Sequence, residues 1–191
     1  MRWQKISFRK NSKRKPGTNT VKQVKNLKID FYFKSHRPKH VPIPIANAKF
    51  KHQNNESLIP CLIDSGADFC TVPIEIGKFM LNIDFENKLA PYEIRREWQD
   101  IDKSDSKKFN GLVEKIIENQ YAIPNSIECA CGKGSSGYYC PVQIEIGVFK
   151  KQVLVFWINS NVIPLIGRIG VFDQMKKVVF DTKKQKGQFY L

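Results

Sequence analysis

Between positions 27 and 33 apolar and polar residues alternate: Leu27, Ile29, Phe31 and Phe33 against Lys28, Asp30 and Tyr32. A period of two puts successive side chains on opposite faces, so the segment predicts a half-buried strand. The segment 41–47 (VPIPIAN) also alternates, and its prolines, which lack a ladder donor, predict an edge position. The polar run 52–57 (HQNNES) predicts a turn, and 58–67 (LIPCLIDSGA) a strand running into a glycine turn. Segment 73–83 fits either a short helix after Pro73 or a strand, and the polar residues 84–105 predict a solvated connector. Over 106–119, Phe109, Leu112, Val113, Ile116 and Ile117 share one helical stripe, with Ser104 or Asp105 placed to cap it and Pro124 beyond its end. Strands return at 142–149 and 152–158, with a turn expected at Lys150 and Lys151. A short apolar run at 162–167 follows, and then 176–181 and 187–191 flank the polar TKKQK. The expected class is all-β with one inserted helix, and no internal repeat stands out.

Composition narrows this picture. The chain has 191 residues, is 41% apolar and carries a formal net charge of +14. That apolar content supports a packed core, and no run of 18 apolar residues predicts a membrane span. Residues 1–40 hold 13 Lys+Arg and one acid, Asp30, whereas 41–191 are close to neutral. The expected organisation is a basic flexible arm, 1–26, and a single body, 27–191, with an insertion at 84–125. The arm suits non-specific contact with nucleic acid or another anionic surface through residues 1–40, by counterion release. No RNP-like strand, zinc-finger spacing or recognition-helix pattern accompanies it. The opening MRWQKISFRKNSKRK lacks the apolar stretch of a secretory signal. Five cysteines, an odd number, fit a reducing, cytoplasmic compartment better than a disulfide scaffold.

The chemistry-bearing segment is 61–73, CLIDSGADFCTVP. An apolar pair, Leu62 and Ile63, delivers Asp64 into a turn followed by the small residues Ser65, Gly66 and Ala67. An Asx-type turn at a strand end is the commonplace reading of the tripeptide alone. A second segment, Val162-Ile163-Pro164-Leu165-Ile166-Gly167-Arg168, is another apolar run ending in Gly-Arg. Between them lies a glycine-rich stretch, 131–138. In this order the segments resemble the retroviral-type (retropepsin-like) aspartic proteases and their cellular and prokaryotic relatives. The resemblance covers about 41–83 and 126–191, so the insertion and the arm are additions.

The resemblance implies an acid-protease β-barrel, closed or nearly so, acting as a homodimeric endopeptidase on extended polypeptide. Asp64 would be the catalytic aspartate, one from each chain. Ser65 would hydrogen-bond across the dimer floor, and Gly66 would let substrate backbone lie close beside Ala67. Asp68 would pair with Arg168, tying the turn to Leu165, Ile166 and Gly167. Cys131, Gly132, Lys133, Gly134, Ser135, Ser136 and Gly137 would belong to a flap over the cleft. Ile74, Val162 and Ile163 would line apolar subsites. No metal and no cofactor are required. Two features depart from the family: Ile169 follows Gly-Arg, and the flap carries Lys133 and Cys131 in place of an apolar tip.

Other chemistries fit less well. Cys129, Cys131 and Cys140 give three thiols where a structural zinc site takes four ligands. Asp100, Asp102 and Asp105 lack the glycine and glutamate of a calcium loop. Neither His36 and His40 nor His52 is placed as the base of a thiol protease. There is no G-x-S-x-G, the glycines make no phosphate loop, and Trp3, Trp98 and Trp157 are scattered. Two alternatives stay open: a catalytically weak peptide- or partner-binding module with a nucleic-acid-binding arm, and a protease that processes only itself.

Overall fold

A computed structural model describes residues 28–36, 41–128 and 134–191, with side chains from Ile43 onward except Glu128. The chain is mostly β, as the alternation predicts. β1 (Lys28–His36) leads to the long hairpin of β2 (Val41–His52) and β3 (Asn55–Ile63), and β4 (Cys70–Pro73) follows. Two helices come next, α1 (Tyr92–Asp100) and α2 (Ser106–Glu118). A second hairpin joins β5 (Ile123–Glu128) to β6 (Gly134–Ile146), and β6 turns into β7 (Phe149–Ile158). The chain ends in the two-residue β8 (Leu165–Ile166), β9 (Lys177–Asp181) and β10 (Lys186–Tyr190).

The ten strands form one sheet in the order β5-β6-β7-β4-β8-β3-β2-β1-β10-β9, and β6 also pairs with β2. That extra pairing, Lys49 to Lys51 against Glu145 to Gln143, closes the run from β6 to β2 into a barrel. β5 hangs from one side of the barrel and β1, β10 and β9 from the other. Closure removes sheet edges that would otherwise stay unpaired.

β7 explains how two cores coexist. Its residues Val153 to Ile158 are all buried. Val153, Val155 and Trp157 face a first core inside the barrel, together with Phe50, Ile63, Val72 and Ile144. Leu154, Phe156 and Ile158 face a second core, shared with Phe69, Tyr139 and the insertion residues Ile94, Trp98, Phe109 and Ile116. A strand covered on both faces loses its alternation and becomes a continuous apolar run. Trp157 keeps its indole satisfied by donating Nε1–H to the Cys140 carbonyl at 3.2 Å.

Several expectations need correction. Residues 84–105 contain a helix, α1, and are not only a connector. With Ile94 and Trp98 as its sole buried residues, the apolar stripe of α1 is too thin to read against its polar surroundings. The insertion therefore holds two helices, not one. The turn expected at Lys150 and Lys151 lies at 147–148, because Gly147 adopts the positive φ of 58° that a two-residue hairpin turn requires. Both lysines belong to β7. Pro42 and Pro44 lie in β2, which is internal from Ile45 onward. The two prolines precede the part paired with β3 and meet only β1, so their missing donors break no ladder there. Segment 73–83 forms one π-helical turn, Ile76–Met80. For α2, Asp105 is the cap, accepting the Lys108 backbone N–H at 3.2 Å.

Candidate active site

The Asp64 turn is built where three strands converge. β8 runs parallel to β3 and lies between β3 and β4, so the chain leaving β3 must cross the end of β8 before entering β4. Backbone bonds clamp this crossing. Leu62 N–H donates to Pro164 C=O at 2.8 Å and Asp64 N–H to Ile166 C=O at 3.0 Å. In return, Arg168 N–H donates to Ala67 C=O at 2.9 Å and Ile169 N–H to Asp68 C=O at 2.7 Å. The Arg168 guanidinium adds an ion pair to the Asp68 carboxylate.

The clamp depends on Gly167. A Cβ there would lie 2.4 Å from the Phe69 carbonyl, inside any permitted contact with backbone. Its N–H points at the Cys70 sulfur, 3.4 Å away. Within the turn, Gly66 N–H donates to Asp64 Oδ1 at 2.8 Å, which aims the carboxylate. Asp64 is half-buried, Ser65 and Gly66 are exposed and Ala67 is half-buried. Among the described residues, Asp64 enters no ion pair. Its carboxylate is thus oriented by one amide and, among the described residues, enters no other hydrogen bond or ion pair.

The glycine-rich stretch belongs to the β5–β6 hairpin. Gly134, Ser135, Ser136 and Gly137 open β6, and Ser136 C=O accepts from Asn159 N–H at 2.8 Å. Cys129, Cys131, Gly132 and Lys133 lie outside the described residues. Beside the hairpin is a cavity of about 690 Å³ lined by Ile74, Lys78, Gln99, both hairpin strands and Asn159. Asp64 does not line it, and neither do Val162 and Ile163. Val162 packs on the second core and Ile163 is exposed, so the structure does not gather these two with Ile74 into one apolar pocket.

The described thiols and His52 are buried. Burial pushes the thiols of Cys70 and Cys140 up to about 12 and raises that of Cys61 as well, so all three stay protonated at neutral pH. His52 is buried between two partners: Lys88 Nζ donates to its Nε2 at 3.0 Å and its Nδ1–H donates to Leu81 C=O at 3.1 Å. An ammonium only donates, which fixes the neutral tautomer. Burial, the largest cause, lowers the His52 pKa, and the Lys88 charge adds to this. No cluster of three or more His, Cys, Asp or Glu suited to a metal occurs among the described residues. No helix among them is long and apolar enough to cross a membrane.

Sequence reasoning passed over Phe69, the residue after Asp68. Its ring meets Tyr139 at 4.8 Å, Trp98 at 6.1 Å and Phe109 at 6.2 Å between centroids, joining the Asp64 turn to both inserted helices. Its position in the run Asp-Phe-Cys was the available signal.

No protein-family model and no curated protein matches the sequence. A solved structure described as a retropepsin-like aspartic protease from Rickettsia conorii aligns with a TM-score of 0.43 and 16% identity, covering 85% of this chain and 90% of that one. The two differ in most residues and in much of their backbone path.

Proposed function

We propose that the chain is an aspartic endopeptidase, active as a homodimer in which two copies of Asp64 share one site. The observation that carries the reading is the clamped turn: an oriented, half-buried carboxylate with no ion pair among the described residues, beside exposed Ser65 and Gly66, held by the Ile166–Arg168 segment. One chain has one Asp-Ser-Gly and offers half of a dyad. Two such carboxylates brought within a few bond lengths resist joint ionisation and share a proton. The ionised member takes a proton from a water held between them. The protonated member donates to the scissile carbonyl as the water attacks. The carboxyls then exchange roles as the amine leaves. The dyad, not either Asp64 alone, owns the two apparent pKa values.

The test is peptide-library cleavage from about pH 4 to pH 7, a window that spans the upper of the two apparent pKa values of a shared-proton dyad, with wild type and Asp64→Asn at matched dimer content. Cleavage by wild type that disappears in the variant, both proteins remaining dimeric, supports the reading. A folded wild-type dimer that cleaves nothing sinks it and leaves the binding-module alternative. A variant chain that stays full-length while wild type shortens itself, with no library cleavage, selects the self-processing alternative.

A further inference from the structure

The cavity beside the β5–β6 hairpin stands apart from Asp64, and three features of it converge. The first is a free strand edge. Ala122 N–H donates to Lys88 C=O at 2.6 Å and Ala122 C=O accepts from Ala90 N–H at 3.0 Å, so both groups of Ala122 point away from β6. Alternation along the strand turns the backbone groups of Pro124 and Ser126 the same way. The opposite strand agrees: Ser136, the register partner of Ser126, gives its carbonyl to Asn159, on the far side from β5. β5 is a terminal strand of the sheet, and past Ala122 no strand covers this edge among the described residues.

The second feature is charge. Lys78 is the single charged residue among those lining the cavity, and it enters no ion pair among the described residues. The nearby Glu86 carboxylate accepts from the Tyr138 hydroxyl and belongs to that contact. The third is the rest of the wall. Gln99, Asn125, Ser126, Ser136 and Asn159 present amides and hydroxyls, a lining that suits a polar chain better than an apolar ligand.

We propose that this groove binds an extended polypeptide bearing an acidic side chain. The peptide adds to β5 as a further strand, bonding Ser126 N–H and Pro124 C=O, and its carboxylate meets Lys78. Strand addition supplies hydrogen bonds that any sequence can make, and Lys78 supplies the selectivity.

The experiment uses the full chain carrying Asp64→Asn, so that no probe is consumed. Three extended nonapeptides, identical except for a central Glu, Gln or Lys, are titrated by fluorescence anisotropy, with amide hydrogen exchange read at saturation. The Glu peptide is expected to bind about tenfold more tightly than the Lys peptide, an exposed charge pair plus relief of repulsion. Lys78→Glu, a surface change, is expected to reverse that order, and exchange at Ser126 N–H is expected to slow on binding. Ser126→Pro removes the edge donor where no ladder uses it, and is expected to weaken all three peptides alike. An acid preference unchanged by Lys78→Glu overturns the proposal and assigns the binding to the basic residues 1–40. Unchanged exchange at Ser126 in the saturated complex also overturns it.

Discussion

Around Gly167 the chain is held by backbone: four N–H···O=C bonds cross between the segments 62–68 and 164–169, and the approach leaves no room for a Cβ. Around Trp98 it is held by rings, Trp98 against Tyr139 at 4.9 Å and Phe109 at 5.9 Å between centroids, with few hydrogen bonds between helix and barrel. The first arrangement fixes atoms to within tenths of an ångström. The second fixes mainly volume, and tolerates redistribution of side chains so long as the space is filled. Phe69 belongs to both, one residue from the ion-paired Asp68 and inside the aromatic cluster. The Asp64 carboxylate, which meets its copy in the proposed dimer, is seated on the precise half, and the adaptable half is left to the insertion.

The sharpest way to break the contrast is Trp98→Ala, expected to cost about 4 kcal/mol through the cavity it leaves. Amide exchange should rise in α1 and α2 while the β3–β8 crossing stays protected, and equal loss in both regions would mean they unfold as one unit. Gly167→Ala is expected to cost about 3 kcal/mol by overpacking against the Phe69 carbonyl. Here the exchange pattern should be reversed, with deprotection at Asp64 and Arg168. The same substitution in the other region should change sign. Gly111 sits in the interior of α2 with nothing within 4 Å of an added Cβ. Gly111→Ala is therefore expected to raise stability by about 1 kcal/mol in urea denaturation.

Two smaller effects sharpen the comparison. His52 joins the β2–β3 hairpin to Lys88 at the start of the insertion, and it is neutral when folded. Its folded pKa lies below its ordinary value of 6.5, so the unfolded chain takes up the proton first. Its contribution is present in full above that value and lost as pH falls through the folded pKa. Denaturation midpoints of wild type should fall more steeply below pH 6.5 than those of His52→Gln. The least effect belongs to Arg168→Ala. That ion pair is more than half exposed at both ends, so its loss should cost less than about 1 kcal/mol, with the backbone clamp intact. A loss comparable to that of Gly167→Ala would show the side chain, and not the backbone, to be the main tie.

What could be read from the residues follows the same division. Strands whose apolar and polar residues alternate, such as β1, announce themselves, and so does α2 with its broad stripe and capping Asp105. The Asp64 and Arg168 segments were legible as a pair through the resemblance that their motifs carry, and the backbone bonds between them show why glycine and small residues stand there. α1 was not legible, since two apolar residues suffice when the neighbouring surface already supplies Phe69 and Tyr139. The placement of Lys150 in β7 was missed for a local reason: Gly147 takes the turn two residues earlier. The cavity's polar lining was invisible because it gathers residues from both hairpin strands, α1, the loop after β7 and the segment after β4, none conspicuous alone.

The barrel seam, Lys49 to Lys51 against Glu145 to Gln143, has a consequence for how the molecule is made. Its two sides are separated by about half of the chain, including both helices, whereas the β2–β3 and β6–β7 hairpins are local. Loop-closure entropy therefore delays the seam until both hairpins exist. In that interval β2 and β6 each present a bare edge. Lys51 to Glu145 bridges the finished seam, while Lys51 to Glu56 and Lys150 to Glu145 each lie within one hairpin beside it, and these charges then have an earlier task. Charges on a bare edge discourage it from pairing with the edge of another nascent chain, so the seam's ion pairs guard against aggregation before they fasten the barrel.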